Sequence, residues 1–270
     1  MAMWRCLRVS WRTLRFIGAY ARANLLAAME YRSAFAMQVV TMTANDSLWL
    51  FFWWNFFRQF PLTNGWQITD IVILWAVSAC GFGISVGIFG NTENLARLIM
   101  TGGLDAYLSM PRYALLHVSI AATDPTAWGD VLFAVGAFLL LVHPGLEQVA
   151  LFVLLVMLVA LIFTAFHALL GSLAFFLGNT EGLLQPIRGA LISFSTYPMN
   201  IFHGVVRLLL FTLIPAGFIS FVPLLLLRHY SWWLLLGLIG ATGVFVGLAM
   251  GLFALGLRRY ESGNLIGMQA

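Results

Sequence analysis

Residues 149–178 read VALFVLLVMLVALIFTAFHALLGSLAFFLG, an unbroken run without a charged side chain. As a helix the run is about 45 Å long at about 1.5 Å per residue, whereas about 20 apolar residues already cross a bilayer core. It therefore predicts a membrane-spanning helix that is tilted or protrudes at one end. In the whole chain 61% of residues are hydrophobic and 9% are charged, against about 25% charged in soluble domains. These features predict an all-α polytopic membrane protein.

Apolar segments recur along the rest of the chain. They predict a single transmembrane domain over residues 1–270, with six spans at about residues 33–57, 71–90, 125–142, 149–178, 183–197 and 231–257. Before the first span, residues 4–22 interleave Arg with Trp and Leu, a pattern typical of a helix that lies in the headgroup region. We expect this N-terminal segment to be an interfacial helix.

The fifth span can be placed in two ways. The Arg residues before the first span and the pair Arg258-Arg259 after the last predict that both termini are cytoplasmic, so the number of crossings is even. If Leu183–Tyr197 crosses, Ile201–Leu227 enters and leaves by the outer face, and its two prolines allow such a re-entrant hairpin before the last span. We favour this arrangement. In the alternative, Leu183–Tyr197 does not cross and Ile201–Leu227 is the fifth span.

Two features inside the spans point to polar chemistry and to packing. Asn45 and Asp46 lie near the middle of the first span, where an acid costs about 2.5–3.5 kcal/mol and should face protein or water. We expect them either to line a substrate pathway or to form a hydrogen bond between helices. Small residues at four-residue spacing predict close helix packing, inside the bundle or alternatively at a subunit interface, in the second and last spans, at Gly83, Gly87, Gly243, Gly247 and Gly251.

The composition of the basic residues excludes an ATP-binding P-loop within the chain. All fourteen are Arg, and a phosphate-binding P-loop needs a Lys to reach the β- and γ-phosphates. Cys6 and Cys80 have no metal-ligand spacing and do not suggest a disulfide framework. We therefore expect no catalytic, cofactor or metal site here, and the basic balance indicates membrane orientation rather than nucleic-acid binding.

The loop between the second and third predicted spans has the pattern of a docking element. Asn91–Ile99 predicts a short helix with one apolar side, which Gly102-Gly103 ends. On the cytoplasmic face, such a helix suits a soluble partner. From periodicity alone, a helix resting on the headgroups is the other interpretation.

Three short motifs follow one another along the chain: GGLDAYLSMP at 102–111, YPMNIF at 197–202 and GLRRYES at 256–262. In these motifs, and over nearly the whole chain in the order of its spans, the sequence resembles a bacterial family of ABC-transporter permeases of the type-2 export class. The chain departs from the family pattern at Gly103, where Glu is frequent, and at Met110, where Arg is frequent. Both differences weaken any expectation of particular salt bridges to a partner.

The resemblance implies a permease subunit of an ATP-driven exporter in the bacterial cell membrane. Two permeases, copies or related chains, would surround a pathway, each seated on a separate ABC ATPase that binds ATP and magnesium. Asn91–Ile99 would be the coupling helix, with contacts to the ATPase from Asn91, Thr92, Glu93, Asn94, Leu95, Arg97 and Leu98. The alternatives are an ATP-independent secondary transporter or channel, and a non-transporting membrane scaffold. The sequence leaves the substrate open.

Overall fold

A computed structural model describes residues 11–60, 65–178 and 180–260, and the regular secondary structure of this part of the chain is helical. Its α-helices are α1 Trp11–Ala28, α2 Arg32–Gln59, α3 Ile68–Phe89, α4 Leu95–Met100, α5 Asp105–Leu108, α6 Ala114–Ile120, α7 Ala127–Ala137, α8 Leu146–Ser172, α9 Ala174–Leu177, α10 Glu181–Ser195, α11 Gly204–Thr212, α12 Val222–Arg228 and α13 Trp232–Leu257. Residues 4–10 of the expected interfacial segment, Cys6 among them, and residues 261–262 of the C-terminal motif lie outside the described ranges.

In the described ranges, three helical segments are long and apolar enough to cross a membrane: Ile68–Met100, Leu146–Leu177 and Trp232–Leu257. The pair Gly204–Thr212 and Gly217–Arg228, bent by 77°, would add a fourth if it formed a single broken span. A shorter apolar helix occupies Ala127–Val142. The chain is thus a polytopic helical membrane protein, and the count of six spans stays a prediction.

Helix α3 lies at the centre of the bundle. In the most apolar 18-residue stretch of Ile68–Met100, the segment that contains α3, 78% of the residues are buried. In the corresponding stretch of α13 only 28% are buried. Helices α2, α7 and α8 pack around α3. The absence of a side chain at Gly83 makes this possible, because a Cβ there would lie 2.7 Å from the carbonyl oxygen of Ala127.

The glycines of α13 behave differently from the sequence expectation. A Cβ added at Gly243, Gly247 or Gly251 meets no heavy atom within 4 Å. These glycines therefore lie on the outer surface of α13 rather than at a contact inside the bundle. Their spacing alone could not distinguish the two situations, since it specifies a helix face and not the neighbour of that face.

The bundle has two distinct ends. At the first, which we name the ion-pair end, Asp70 in the first turn of α3 forms an ion pair with Arg228 at the end of α12. Asp70 also accepts a hydrogen bond from the backbone N–H of Gln67 at 2.7 Å. At the second, which we name the junction end, α3 passes through a 3-10 turn, Gly90–Asn94, into α4.

Helix α1 packs across the junction end. Tyr20 OH and His117 Nε2 lie 2.6 Å apart, and the side-chain amide of Asn24 donates to the carbonyl oxygen of Ile120 at 3.0 Å. The guanidinium of Arg112 lies 4.9 Å from the centre of the Phe16 ring. No residue of α1 is fully buried, so the helix lies on the bundle and not within it.

Helix α10 connects the junction end to the middle of the bundle. Its Arg188 donates from Nη2 to the carbonyl oxygen of Glu93 at 2.9 Å. At its other end the carbonyl oxygen of Ser195 accepts a hydrogen bond from Ser78 Oγ, midway along α3, at 3.1 Å. After α10 the chain turns through Met199–Ile201 into the bent pair of α11 and α12.

Candidate functional site

The expected coupling helix takes the form of a 3-10 turn followed by the short helix α4. Asn91 fixes this turn, because its backbone N–H donates to the carbonyl oxygen of Ala122 at 2.9 Å and its side-chain amide donates to that of Val118 at 2.8 Å. The side chain of Asn94 in turn donates to Asn91 Oδ1 at 3.1 Å. These bonds to the segment around α6 hold residues 90–94 away from the regular helix predicted for them.

The junction exposes only part of the predicted ATPase-contact set. Asn91, Thr92 and Leu95 are buried within the chain, so their side chains are turned away from any docking partner. Glu93, Asn94 and Leu98 are half-buried, and Arg97 is exposed. Arg97 Nη2 donates to Asn94 Oδ1 at 3.0 Å, which orients the guanidinium along the surface.

Leu95 fastens the junction to α8. A Cβ added at Gly171 would lie 2.8 Å from the Cβ of Leu95, so the two helices touch with no room for a side chain on α8. Because close-packed contacts transmit displacement rather than absorb it, a movement of α4 acts directly on α8.

Glu93 joins three elements of the bundle. Its backbone carbonyl accepts the bond from Arg188 of α10, and its Oε1 lies 3.5 Å from Nδ1 of His167 in α8. Burial raises the pKa of the Glu93 carboxyl above its ordinary value, although the positive charge of Arg188 acts in the opposite direction. Arg188 itself is 7% exposed. The junction is therefore connected to both α8 and α10.

The second candidate feature is a cavity of about 290 Å³ between α2, α3, α7, α8 and α10. Its polar wall is formed by Asp46 and Asp130, which are 4% and 3% exposed, respectively. Their side chains lie within hydrogen-bonding reach of each other, and such a bond requires a proton on one of them. Asn45, on the same turn of α2 as Asp46, is exposed at the rim.

Aromatic rings form another part of the wall. Trp49 and Trp75 stack with their centroids 6.2 Å apart and their planes at 25°. Trp53 and Tyr197 meet edge to face with centroids 5.8 Å apart. The floor is completed by Ser78, whose bond to the backbone of Ser195 keeps the end of α10 against α3.

A family comparison covers both features. The family model described as ABC-2 family transporter protein matches residues 43–264. The chain belongs to this family. No curated protein and no solved structure matches it. The family match confirms the resemblance found in the sequence and makes the protein a membrane permease.

Asp130 of the permease escaped the sequence reasoning. It lies only a few residues after the expected start of the third span, so the sequence did not place it near the middle of the membrane. The structure brings it to Asp46 because Gly129 lets α7 approach α2 closely: a Cβ at Gly129 would lie 2.6 Å from both Met42 Cβ and the carbonyl oxygen of Val39. A Gly-Asp pair within an apolar helix was the one available signal.

His167 and Arg188 of the permease were also missed as partners of the junction. The sequence offered no ligand or charge near either residue, since Glu93 is far from both along the chain. Only the packing of α8 and α10 against the 3-10 turn brings them together.

Proposed function

We propose that the permease is the membrane subunit of an ATP-driven exporter and that a separate ABC ATPase docks at the junction end. The observation that carries this proposal is the construction of the junction itself. Exposed Arg97 stands on a short element that is fastened to α8 through Leu95 and to α10 through Glu93. A partner that moves α4 would therefore move two long helices of the bundle with it.

The distribution of positive charge supports a cytoplasmic junction end. Arg228 and Arg58 stand at the ion-pair end, and Arg228 is neutralised by Asp70. The junction end carries the larger share, consistent with the positive-inside rule: Arg12, Arg15, Arg22, Arg32, Arg97, Arg112, Arg188, Arg258 and Arg259. Both termini would then be cytoplasmic, in the bacterial cell membrane.

Six crossings with a re-entrant hairpin suit this orientation. The segment after α10 starts at Tyr197, which meets Trp53 in the outer half of α2, and it ends at Arg228, beside the first turn of α3. Both ends of the segment 197–228 are therefore on the ion-pair half of the bundle, which favours entry and exit at one face over a fifth crossing. The spans are then α2, α3, α7, α8, α10 and α13.

A second permease subunit would cover a polar helix face. Gln38, Thr41 and Asn45 lie on one face of α2 and are exposed. Gln185 and Ser193 do the same on α10, two turns apart. Exposed amides in spans are unfavourable against lipid and are usually matched by hydrogen bonds across a helix interface. A copy of this chain or a related permease would supply that interface around a central pathway.

The coupling step follows from the position of α10. Arg188 binds the junction, and Ser195 lies seven residues later, a rise of about 10 Å along the helix. Ile192 and Ser193, which lie between Arg188 and Ser195, line the cavity that contains Asp46 and Asp130. Nucleotide binding by the ATPase would tilt α8 and α10 as rigid bodies and thereby change the shape of the cavity.

Co-purification tests the docking proposal. The permease is extracted in a mild detergent from cells that express its neighbouring genes, and an ATP-binding subunit is sought in the complex. Arg97→Glu should reduce recovery of that subunit about tenfold or more, because a charge-matched contact becomes a repulsion. Arg258→Glu, also an exposed arginine at the junction end, is the matched control and should leave recovery unchanged. Equal recovery with both variants would remove Arg97 from the contact, and persistent absence of any ATPase would contradict the proposed function.

One observation favours a second candidate, a transporter that works without ATP. Proton-coupled transporters place carboxyls inside the membrane, and Asp46 and Asp130 form such a pair. Proteoliposomes that contain the permease alone would distinguish the two functions. Substrate uptake driven by a pH gradient would favour the second candidate, and transport only with the ATPase and ATP would favour the first.

A further inference from the structure

We propose that the cavity beside Asp46 and Asp130 binds an organic ammonium ion. This inference rests on the proposed function, since it names the substrate class of the exporter. Four observations on the described residues support it: a buried carboxylate oxygen without a hydrogen-bond donor, the lack of a neutralising side chain beside it, aromatic rings in the wall, and an opening toward the side of the bundle.

The first observation is a polar atom without a partner. Asp46 is 4% exposed and lines the cavity, yet its Oδ2 has no hydrogen-bond donor among the described residues. Trp75, also in the wall, has an indole N–H without an acceptor in the same part of the chain. Buried polar groups almost always have a hydrogen-bond partner, so these two unsatisfied groups indicate that the cavity binds a further molecule.

The second observation concerns charge. The groups that act on the two carboxyls are each other, Asn45 and the more distant Asp124, and none of these is positive. Both ion pairs found in the described ranges lie elsewhere, at Glu93 and at Asp70. Two carboxylates in contact in a dry interior repel strongly, so the pair holds one proton and one negative charge. One positive charge is what the cavity lacks.

The third observation selects the kind of cation. Trp49, Trp75, Trp53 and Tyr197 line the same cavity as the two carboxyls. Aromatic faces attract ammonium groups, most strongly where water is excluded. Calcium or magnesium instead requires about six or more oxygen ligands, and the described residues contain no group of three His, Cys, Asp or Glu side chains able to hold a metal ion. An ammonium group with apolar substituents fits this wall.

The fourth observation is the way in. Asn45 and Trp49 of α2, Ile192 of α10 and Tyr197, two residues after the end of α10, line the cavity and are all exposed, so its opening lies between α2 and the end of α10. A volume of about 290 Å³ is at the lower limit of small-ligand pockets, which occupy about 300–1,000 Å³. The cavity therefore holds a small cation or the head group of a larger one. The wall of the cavity that α10 contributes is the one that a movement of the junction would displace.

A neutral isostere provides the sharpest test. The full chain is placed in lipid nanodiscs, and binding of choline is compared with that of 3,3-dimethylbutan-1-ol by isothermal titration calorimetry. The two probes share size, shape and hydroxyl group, and only choline carries a charge. Choline should bind at least about tenfold more tightly, because the carboxylate and the aromatic faces act on the charge alone. Equal affinities, or no choline binding, would overturn the proposal.

Substitutions locate the binding. The double variant Asp46→Asn with Asp130→Asn should lose the preference for choline, whereas each single variant should keep part of it, because one carboxyl remains. Glu147→Gln removes an exposed charge at the start of α8 and is the control, with unchanged binding expected. A preference for choline that survives in the double variant would contradict the assignment. If the double variant does not fold, the comparison of the two probes on the unmodified chain still decides.

The outcome of the choline experiment does not depend on whether an ATPase binds the permease. Calorimetry is done on the permease alone, without nucleotide, so a failed search for an ATPase subunit leaves the binding result intact. Conversely, an ATPase that co-purifies while choline and its isostere bind equally would support the proposed function and overturn this site.

Discussion

Two buried acids of this permease differ in the group that each one meets. Asp70 at the ion-pair end and Asp46 in the cavity are 5% and 4% exposed, so burial does not separate them. Asp70 is met by Arg228 and by the backbone of Gln67, whereas Asp46 is met by a second acid, Asp130. A buried acid with a matched cation stabilises the fold. A buried acid opposite another acid does not, which makes it a candidate for binding or transport.

The largest effect is expected from breaking the ion pair between Asp70 and Arg228. Arg228→Ala leaves Asp70 buried without its cation, and removing one partner of a buried pair costs about 3–5 kcal/mol. Because the side chain of Arg228 is 30% exposed, we expect a loss of about 2–3 kcal/mol in the free energy of unfolding. Thermal unfolding in detergent measures this loss. The double variant Asp70→Asn with Arg228→Gln should recover part of it, and a single variant as stable as the unmodified protein would contradict the structural role.

An intermediate effect is expected from a substitution that moves Asp130 away from Asp46. Gly129→Ala places a Cβ 2.6 Å from the backbone oxygen of Val39, so α7 has to move away from α2. Such overpacking costs about 1–3 kcal/mol and should also reduce choline binding. Gly136→Ala, later in α7, meets nothing within 4 Å and is the matched control. It should be neutral or stabilising by up to about 1 kcal/mol. Equal effects of the two variants would show that the approach of α7 to α2 is not critical.

The smallest effect on stability should come from the unmatched pair itself. Replacing Asp46 and Asp130 by Asn removes a buried negative charge and leaves two neutral amides able to bond to each other. We expect the free energy of unfolding to change by less than about 1 kcal/mol, or to rise, while choline binding is lost. A destabilisation as large as that of Arg228→Ala would mean that the two acids are structural after all.

The sequence predicted some of these features well and others not at all. Asp46 was recognised because its depth in an apolar run makes an acid costly wherever its neighbours lie. Asp130 was not, since its importance depends on Gly129 and on the contact between two helices. In the same way, Asn91–Ile99 was recognised as a separate element, but its 3-10 turn results from bonds to Val118 and Ala122 of a later segment.

Composition and the run at residues 149–178 by themselves determined that this protein is a helical membrane protein, and short motifs in order determined its family. These properties depend on transfer of apolar groups from water to lipid and on local pattern, both of which a linear chain displays. Tertiary structure alone decided which glycines allow close packing, that Arg188 binds the junction, and that two acids meet in one aromatic cavity. Such contacts join residues distant along the chain, and their energies depend on a partner that no local pattern specifies.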